Sequence, residues 1–130
     1  MPTIGVDALA STVAKLLTEF ETLSVKVTNE AGKKAADHGA KTLRSTSPKG
    51  GKAGKAGTYA RGWKVIAQGG TSGVVYTIGN PSQGQLSHLL ELGHALRQGG
   101  RSPAISHIAP VEQQAIKEFE ENIRRGIAAL

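Results

Sequence analysis

The chain has no cysteine and few aromatic side chains, with one Trp, two Tyr and two Phe among 130 residues. Without cysteine it can form neither a disulfide scaffold nor a Cys-ligated zinc site, and this composition fits synthesis in a cytosol. With so few rings, the core must consist mainly of Leu, Ile, Val and Ala. No apolar run approaches the roughly 20 residues that a membrane span requires, so we expect no membrane contact.

Acidic residues are absent from His38 to Leu90, although the chain carries ten of them elsewhere and a net charge of +6. A long basic stretch predicts a polyanionic neighbour or an acidic protein face, and its alternative is a solvated, flexible loop. The candidate contact residues in and beyond this stretch are Lys49, Lys52, Lys55, Arg61, Arg97 and Arg101.

The length predicts a single domain over residues 1–130, with a flexible basic loop over 48–58. Apolar residues recur at steps of three and four from Val6 to Ser45, which predicts one long helix, with a possible bend near Gly32. Such a helix is over 50 Å long. Because a compact domain of this size does not need that length, we expect part of the helix to pack on a neighbouring subunit.

Two strands and two further helices are predicted after the basic loop. Alternation over Thr58–Gln68 predicts a strand with Trp63 buried at its centre, and residues 74–79 predict a second strand that completes a hairpin. Residues 83–92 predict a short helix that ends at Gly93, and residues 95–106 an irregular segment with room for a third strand. Pro110 suits the first turn of a final helix.

His88, Glu91, His94 and His107 form the only constellation that suggests a metal site. Their spacing matches no metalloprotease motif, because those motifs need two His four residues apart on one helix. Structural roles fit better. We expect Glu91 to accept hydrogen bonds from loop N–H groups and His107 to anchor the start of the final helix. The sequence therefore predicts no catalytic residue, no metal ligand and no cofactor.

Several short motifs follow one another in a fixed order: Ser47-Pro48, Tyr59 with Gly62-Trp63, Asn80-Pro81, His88 with Leu90-Glu91-Leu92-Gly93-His94, Gly99-Gly100, and His107 to Pro110. In this order the chain resembles the tail-completion, or head–tail joining, proteins of tailed bacteriophages. The resemblance covers about residues 47–111. For the flanking segments it extends only to the kind of element, a helix on each side. Its structural motif residues are Trp63, Glu91, Gly93, His107 and Pro110.

The resemblance implies an α+β fold in which a small curved antiparallel sheet packs against a long N-terminal helix, a short middle helix and a C-terminal helix. It also implies a non-enzymatic virion protein, made in the host bacterial cytoplasm. Such proteins form rings, commonly hexameric, at the head–tail junction. There they bind the tail tube or terminator protein and the head-completion protein, and transiting DNA can touch them non-specifically.

Two alternatives from other classes remain open. A small basic DNA-binding protein would fit the charge and the Tyr59 and Trp63 rings within the basic stretch. However, no helix is strongly basic along one face, and no docking motif for DNA is present. The remote alternative is a metal-dependent hydrolase that uses the histidines.

Overall fold

A computed structural model describes residues 5–50, 56–70 and 73–130. Its helices are α1 (Val6–Thr46), α2 (Thr58–Arg61), α3 (Ser87–Leu92) and α4 (Ile108–Ala128), and its strands are β1 (Lys64–Gly70) and β2 (Gly73–Gly79). A 3-10 turn, Gly84–Leu86, leads into α3. The α+β architecture expected from the sequence is confirmed: a two-stranded antiparallel sheet and helix α4 each pack on the long first helix.

Helix α1 is 41 residues long, or about 60 Å. It continues through Gly32 and Gly39, and its buried residues all lie in its second half: Ala31, Ala35, Ala36, Gly39, Ala40 and Leu43. Small side chains on this face let other elements approach closely. A Cβ at Gly39, for example, would lie 2.7 Å from the Cδ1 atom of Ile78 on β2.

Helix α4 runs antiparallel to α1 along the same half. Gly39 lies near Val111 at the start of α4, Gly32 lies near Phe119, and Val27 packs directly against Gly126 near the end of α4. The exposed His38 and the Glu118 carboxylate add a link between the helices, with Nδ1 to Oε2 at 2.6 Å. Helix α4 therefore covers α1 only from about residue 27 onward.

Strands β1 and β2 form a hairpin in which Val65 pairs with Ile78 and Gly70 with Gly73. Strand β2 is the one that lies on α1, where its residues Val74, Tyr76 and Ile78 are half-buried. The Asn29 side-chain oxygen on α1 accepts a hydrogen bond from the Val74 N–H at 2.9 Å. The hairpin is therefore held to the first helix by β2, and β1 is mostly exposed.

The predicted strand over Thr58–Gln68 is wrong in its first half, because residues 58–61 form helix α2 and β1 begins only at Lys64. Gly57 has φ 78° and turns the chain into α2, where consecutive residues Tyr59 and Ala60 are both buried. A strand would have placed these two residues on opposite faces. Trp63 is buried as expected, at 5 % exposure, but it precedes the strand and does not lie at its centre.

The segment between α3 and α4 forms no third strand in the described part of the chain. It contains one isolated antiparallel bridge between Ala95 and Arg101, closed by a turn in which the Leu96 N–H donates to the Gly100 carbonyl at 2.9 Å. The short middle helix is also confirmed, although its first turn is the 3-10 turn and α3 itself begins at Ser87.

Candidate functional site

The Glu91 carboxylate at the end of α3 holds the first turn of α4. Oε1 accepts the N–H groups of His107 at 2.7 Å and Ile108 at 2.8 Å. Oε2 accepts the Ala109 N–H at 3.0 Å and the Ser106 hydroxyl at 3.2 Å. The first N–H groups of a helix have no partner within the helix, and a carboxylate is well suited to them because it is also attracted by the helix dipole. The sequence-based role for Glu91 is confirmed.

These hydrogen bonds determine the charge state of Glu91. Burial alone would raise the pKa of this carboxyl, whose side chain is only 15 % exposed. The donors from Ile108, His107, Ala109 and Ser106 outweigh burial and lower the pKa to about 2. Glu91 is therefore an anion throughout the physiological range, with each oxygen engaged by two donors.

His107 is the residue just before α4, and its side chain is only 2 % exposed. Its Nδ1 atom faces the Ile105 carbonyl oxygen at 2.7 Å and Glu91 Oε1 at 3.0 Å. Both neighbours are acceptors, so Nδ1 carries a hydrogen. The Nε2 atom lies 2.8 Å from the Tyr59 hydroxyl, 48 residues earlier in the chain. His107 thus anchors the start of α4, as expected from the sequence, and its partner across the core is Tyr59 of α2.

Tyr59 and Trp63 complete the core beside His107. The Tyr59 ring meets the rings of Trp63 and His107 edge-on, with centroids 5.6 Å apart in both cases. The Trp63 Nε1–H donates to the hydroxyl of Ser47, just past the end of α1, at 2.8 Å. Burial, with a smaller contribution from the Glu91 charge, raises the pKa of the Tyr59 hydroxyl, which therefore stays protonated.

Asn80 fixes the chain where β2 ends. Its Nδ2 atom donates to the Tyr59 carbonyl at 2.8 Å, and its Oδ1 atom accepts the Gln83 N–H at 3.1 Å. The side chain is buried against Gly62, where a Cβ would collide with Oδ1. Gly62 before Trp63 is therefore required for this close approach.

We call the set Ser47, Tyr59, Trp63, Asn80, Glu91 and His107 the junction. It joins the end of α1, helix α2, the end of β2, helix α3 and the start of α4. Most of the motif elements singled out in the sequence supply a residue to it. Sequence reasoning missed the contacts of Tyr59 with His107 and with Asn80, because no local pattern relates residues 21 to 48 positions apart.

Gly93 and Pro110 shape the two ends of the connection between α3 and α4. Gly93 has φ 75°, which favours glycine, and a Cβ there would run into the Ser102 carbonyl oxygen. Pro110 is the third residue of α4, where a missing N–H leaves no helix hydrogen bond unmade. Both sequence-based roles are confirmed.

The four residues of the metal constellation do not converge. Glu91 and His107 are together, but the His94 Nδ1 atom lies 2.9 Å from the Ser102 hydroxyl, and His88 is exposed on α3. Within residues 5–50, 56–70 and 73–130, no group of three or more His, Asp or Glu side chains is placed to hold a metal ion. The arrangement around Glu91 instead supplies a fixed anion that orients a helix.

The described candidate basic residues lie in two regions: Lys49 just after α1 and Arg61 at the end of α2, and Arg97 and Arg101 on the loop after α3. Lys49 and Arg61 are exposed, and Lys49 Nζ donates to the Ser45 carbonyl at 2.7 Å and Arg61 Nη1 to the Ala56 carbonyl at 3.2 Å. Lys52 and Lys55 lie outside the described residues, as does the middle of the predicted flexible loop, residues 51–55. Arg97 and Arg101 are exposed on the bridged loop after α3, and Arg101 Nη2 donates to the Gly93 carbonyl at 3.2 Å.

Comparisons with known proteins add no assignment to this geometry. No protein-family model, curated protein or solved structure matches the chain. Over the described residues, no helix combines the length and the apolar character that crossing a bilayer requires.

Proposed function

We propose that this protein is a structural virion component of a tailed bacteriophage that assembles as a ring, hexameric in the particle, at the head–tail junction. There it joins the tail tube or terminator protein to the head-completion protein. It is made in the host bacterial cytoplasm and ends in the neck of the particle. Its activity is binding, and it performs no chemical step.

One observation carries this proposal. The motifs behind the resemblance are spread over residues 47–110, yet Ser47, Tyr59, Trp63, Glu91 and His107 meet in one buried junction. A set of residues that fixes how four helices and a hairpin meet is the kind of pattern that a shared fold would impose. The order of the motifs and their contacts in space therefore support the same family.

The chemistry of the junction supports a binding role. Glu91 receives four hydrogen bonds, and His107 is almost fully buried between Glu91 and Tyr59. A general base or metal ligand needs a free lone pair within reach of a substrate. Both side chains use theirs to hold the chain, so these two residues serve assembly of the fold.

The exposed basic residues Lys49, Arg61, Arg97 and Arg101 supply the electrostatic part of the proposal. Located on loops and, for Arg61, at the end of α2, they can contact an acidic face of a neighbouring ring or the phosphates of transiting DNA. Contacts of this type position a partner and carry no base-sequence information. They are screened over about 8–10 Å at physiological ionic strength, so docking should weaken with salt.

The test is deletion of the coding sequence from the phage genome that carries it. Electron microscopy of the lysate should show DNA-filled heads and separate, complete tails, and purified protein added to the lysate should restore joined particles. Gold-labelled antibody should mark the neck of normal particles. Normal joining without the protein, or label confined to the capsid or to the tail tip, would refute the proposal.

A second candidate is a small basic DNA-binding protein, and the acid-free stretch from His38 to Leu90 is the observation that favours it. A regulator of this class should prefer its site over scrambled DNA by at least about 10³-fold at physiological salt. A competition assay at about 150 mM salt decides between the two. A neck protein should bind all sequences alike.

A further inference from the structure

The first 18 residues of α1 carry an apolar stripe that no other described residue of the same chain covers. Residues 5–23 are all exposed. The large apolar side chains among them are between 44 % and 83 % exposed: Val6, Leu9, Val13, Leu16, Leu17, Phe20 and Leu23. A contiguous apolar surface of this size on a soluble protein marks an interaction site.

The stripe has the spacing of a coiled-coil seam. Val6, Val13 and Phe20 are seven residues apart, and Leu9, Leu16 and Leu23 follow each of them by three. Alternating steps of three and four over almost three heptads place these six side chains along one line of the helix. This repeat fits another helix that runs alongside α1.

The stripe continues an interface that already exists within the chain. The next seam position is Val27, which packs against Gly126 near the end of α4. Helix α4 runs antiparallel to α1 and ends at Ala128, so its end covers the seam at the half-buried Val27, and the seam positions from Val6 to Leu23 are exposed. The missing partner is therefore a helix that begins where α4 ends and runs in the same direction as α4.

We propose that this partner is the first part of α1 from a second copy of the chain, paired antiparallel. Burying the whole bare seam against itself sets Val6 opposite Leu23, Leu9 opposite Phe20, and Val13 opposite Leu16. The N-terminus of each α1 then follows the end of its partner's α4. The two folded bodies lie at opposite ends of the pair.

The antiparallel direction follows from two features. A parallel pair would bring the two copies of α4 together at the same end, because each already occupies the seam at Val27. In the antiparallel pair, the bulky Leu17 beside the seam lies across from the small Ala10 of the other copy. Thr12 lies across from Glu19, so no like charges are opposed.

The apolar area that pairing can bury determines how stable the helix pair is. A fully exposed aliphatic side chain of this size offers roughly 60–120 Å² of apolar surface, so the seven side chains at their observed exposure offer about 400 Å² per copy. A standard interface buries about 800 Å² per partner. The pair is therefore at the weak end of specific interfaces, in equilibrium with the monomer, and must be measured over a concentration series.

The first measurement is mass by light scattering after size-exclusion chromatography. The 13.5 kDa chain should approach twice its mass as the concentration rises. Leu16→Lys should hold it at the monomer mass across the series, because the charge would lie in the seam. The matched control is Thr18→Lys on the opposite face of the helix, which should dimerise like the parent. A parent that stays monomeric, or dimerisation unaffected by Leu16→Lys, overturns the pairing.

Because the chain has no cysteine, cross-linking can define direction. Leu9→Cys and Phe20→Cys should each fail to form a disulfide dimer alone, since two like positions would be about 16 Å apart along the pair. An equimolar mixture of the two variants should give a covalent heterodimer. Covalent homodimers of each variant would show a parallel pair, and a dimer by mass without the mixed cross-link would place the partner helix elsewhere. Either result overturns the proposal.

This inference does not rest on the proposed function, because it concerns the free protein. Failure of the mass and cross-linking experiments removes the helix pair and leaves the head–tail role as it was. Failure of head–tail joining to depend on the protein would equally leave the pair intact.

Discussion

Replacing Glu91 with Gln tests whether one carboxylate holds helix α4 in place. Gln keeps an oxygen that can accept the N–H groups of His107 and Ile108, but it puts an NH₂ group where Oε2 now accepts Ala109 N–H and the Ser106 hydroxyl. The Ala109 hydrogen bond is lost and its N–H then faces another donor, the Ser106 hydroxyl must turn to accept, and the two remaining bonds lose their charged acceptor. Hydrogen bonds to charged groups contribute about 1.5–3 kcal/mol each, so we expect Glu91→Gln to lower the free energy of unfolding by about 3 kcal/mol at neutral pH.

The pKa of Glu91 leads to a similar magnitude. Its lowering from 4.5 to about 2 in the folded protein corresponds to about 3 kcal/mol. Because the folded-state pKa is lowered, this stabilisation is fully present above pH 4.5. It is lost progressively as the pH falls from 4.5 toward 2, where the carboxylate becomes protonated. The difference between the parent and Glu91→Gln should therefore shrink over that interval.

The assay is urea unfolding followed by circular dichroism at several pH values from 7 down to 3. At pH 7 the variant should also melt about 10 °C below the parent, given the usual relation between stability and melting temperature for a domain of this size. Glu120→Gln, at an exposed position on α4, is the matched control and should change stability by under about 0.5 kcal/mol. A Glu91→Gln protein as stable as the parent at pH 7, or a loss that stays constant down to pH 3, would refute the role assigned to this carboxylate.

Three further outcomes follow from the structure. Trp63→Ala should lower the free energy of unfolding by about 3–5 kcal/mol because it empties the core beside Tyr59. The control is Val75→Ala, at a position 66 % exposed, which should lower it far less. Equal effects in chemical denaturation would contradict a core role for Trp63. Gly93→Ala should lower the melting temperature because φ 75° and the Ser102 carbonyl leave no place for a methyl group. The control is Gly84→Ala, where a Cβ meets open space, and this variant should melt near the parent. Replacing three lysines by Gln at once should leave the melting temperature unchanged and weaken the retention of the protein on random-sequence DNA at low salt: Lys49, Lys52 and Lys55. Unchanged retention would show that these lysines make no polyanion contact.

The long elements could be predicted from sequence because each carries its own periodic signal. Helix α1 was expected over Val6–Ser45 and ends at Thr46, and α4 begins two residues before the proline expected in its first turn. The role of Glu91 could also be inferred, since a carboxylate at the end of a short helix before a loop has few other partners. The helices depend on residues close together in the chain, and the role of Glu91 on its place at the end of one of them.

The errors arose where a short segment admits two interpretations. The alternation of Tyr59, Arg61 and Trp63 resembles a strand, yet the turn at Gly57 and the bond from Asn80 to the Tyr59 carbonyl stabilise one helical turn. Four residues are too few for a helical period to be visible. The junction as a whole could not be predicted for a different reason: it depends on contacts between residues that only the folded chain brings together.

Because of the hydrogen bonds to Glu91, the position of α4 does not depend on the whole sequence of the loop before it. One carboxylate at the end of α3 holds residues 106–109 directly, so the exposed tip of the intervening loop, residues 97–100, does not have to be rigid to place the last helix. That tip is therefore a place where this protein can accept insertions or exchange side chains without refolding. During evolution, a change of binding partner could begin there while the core stays as it is.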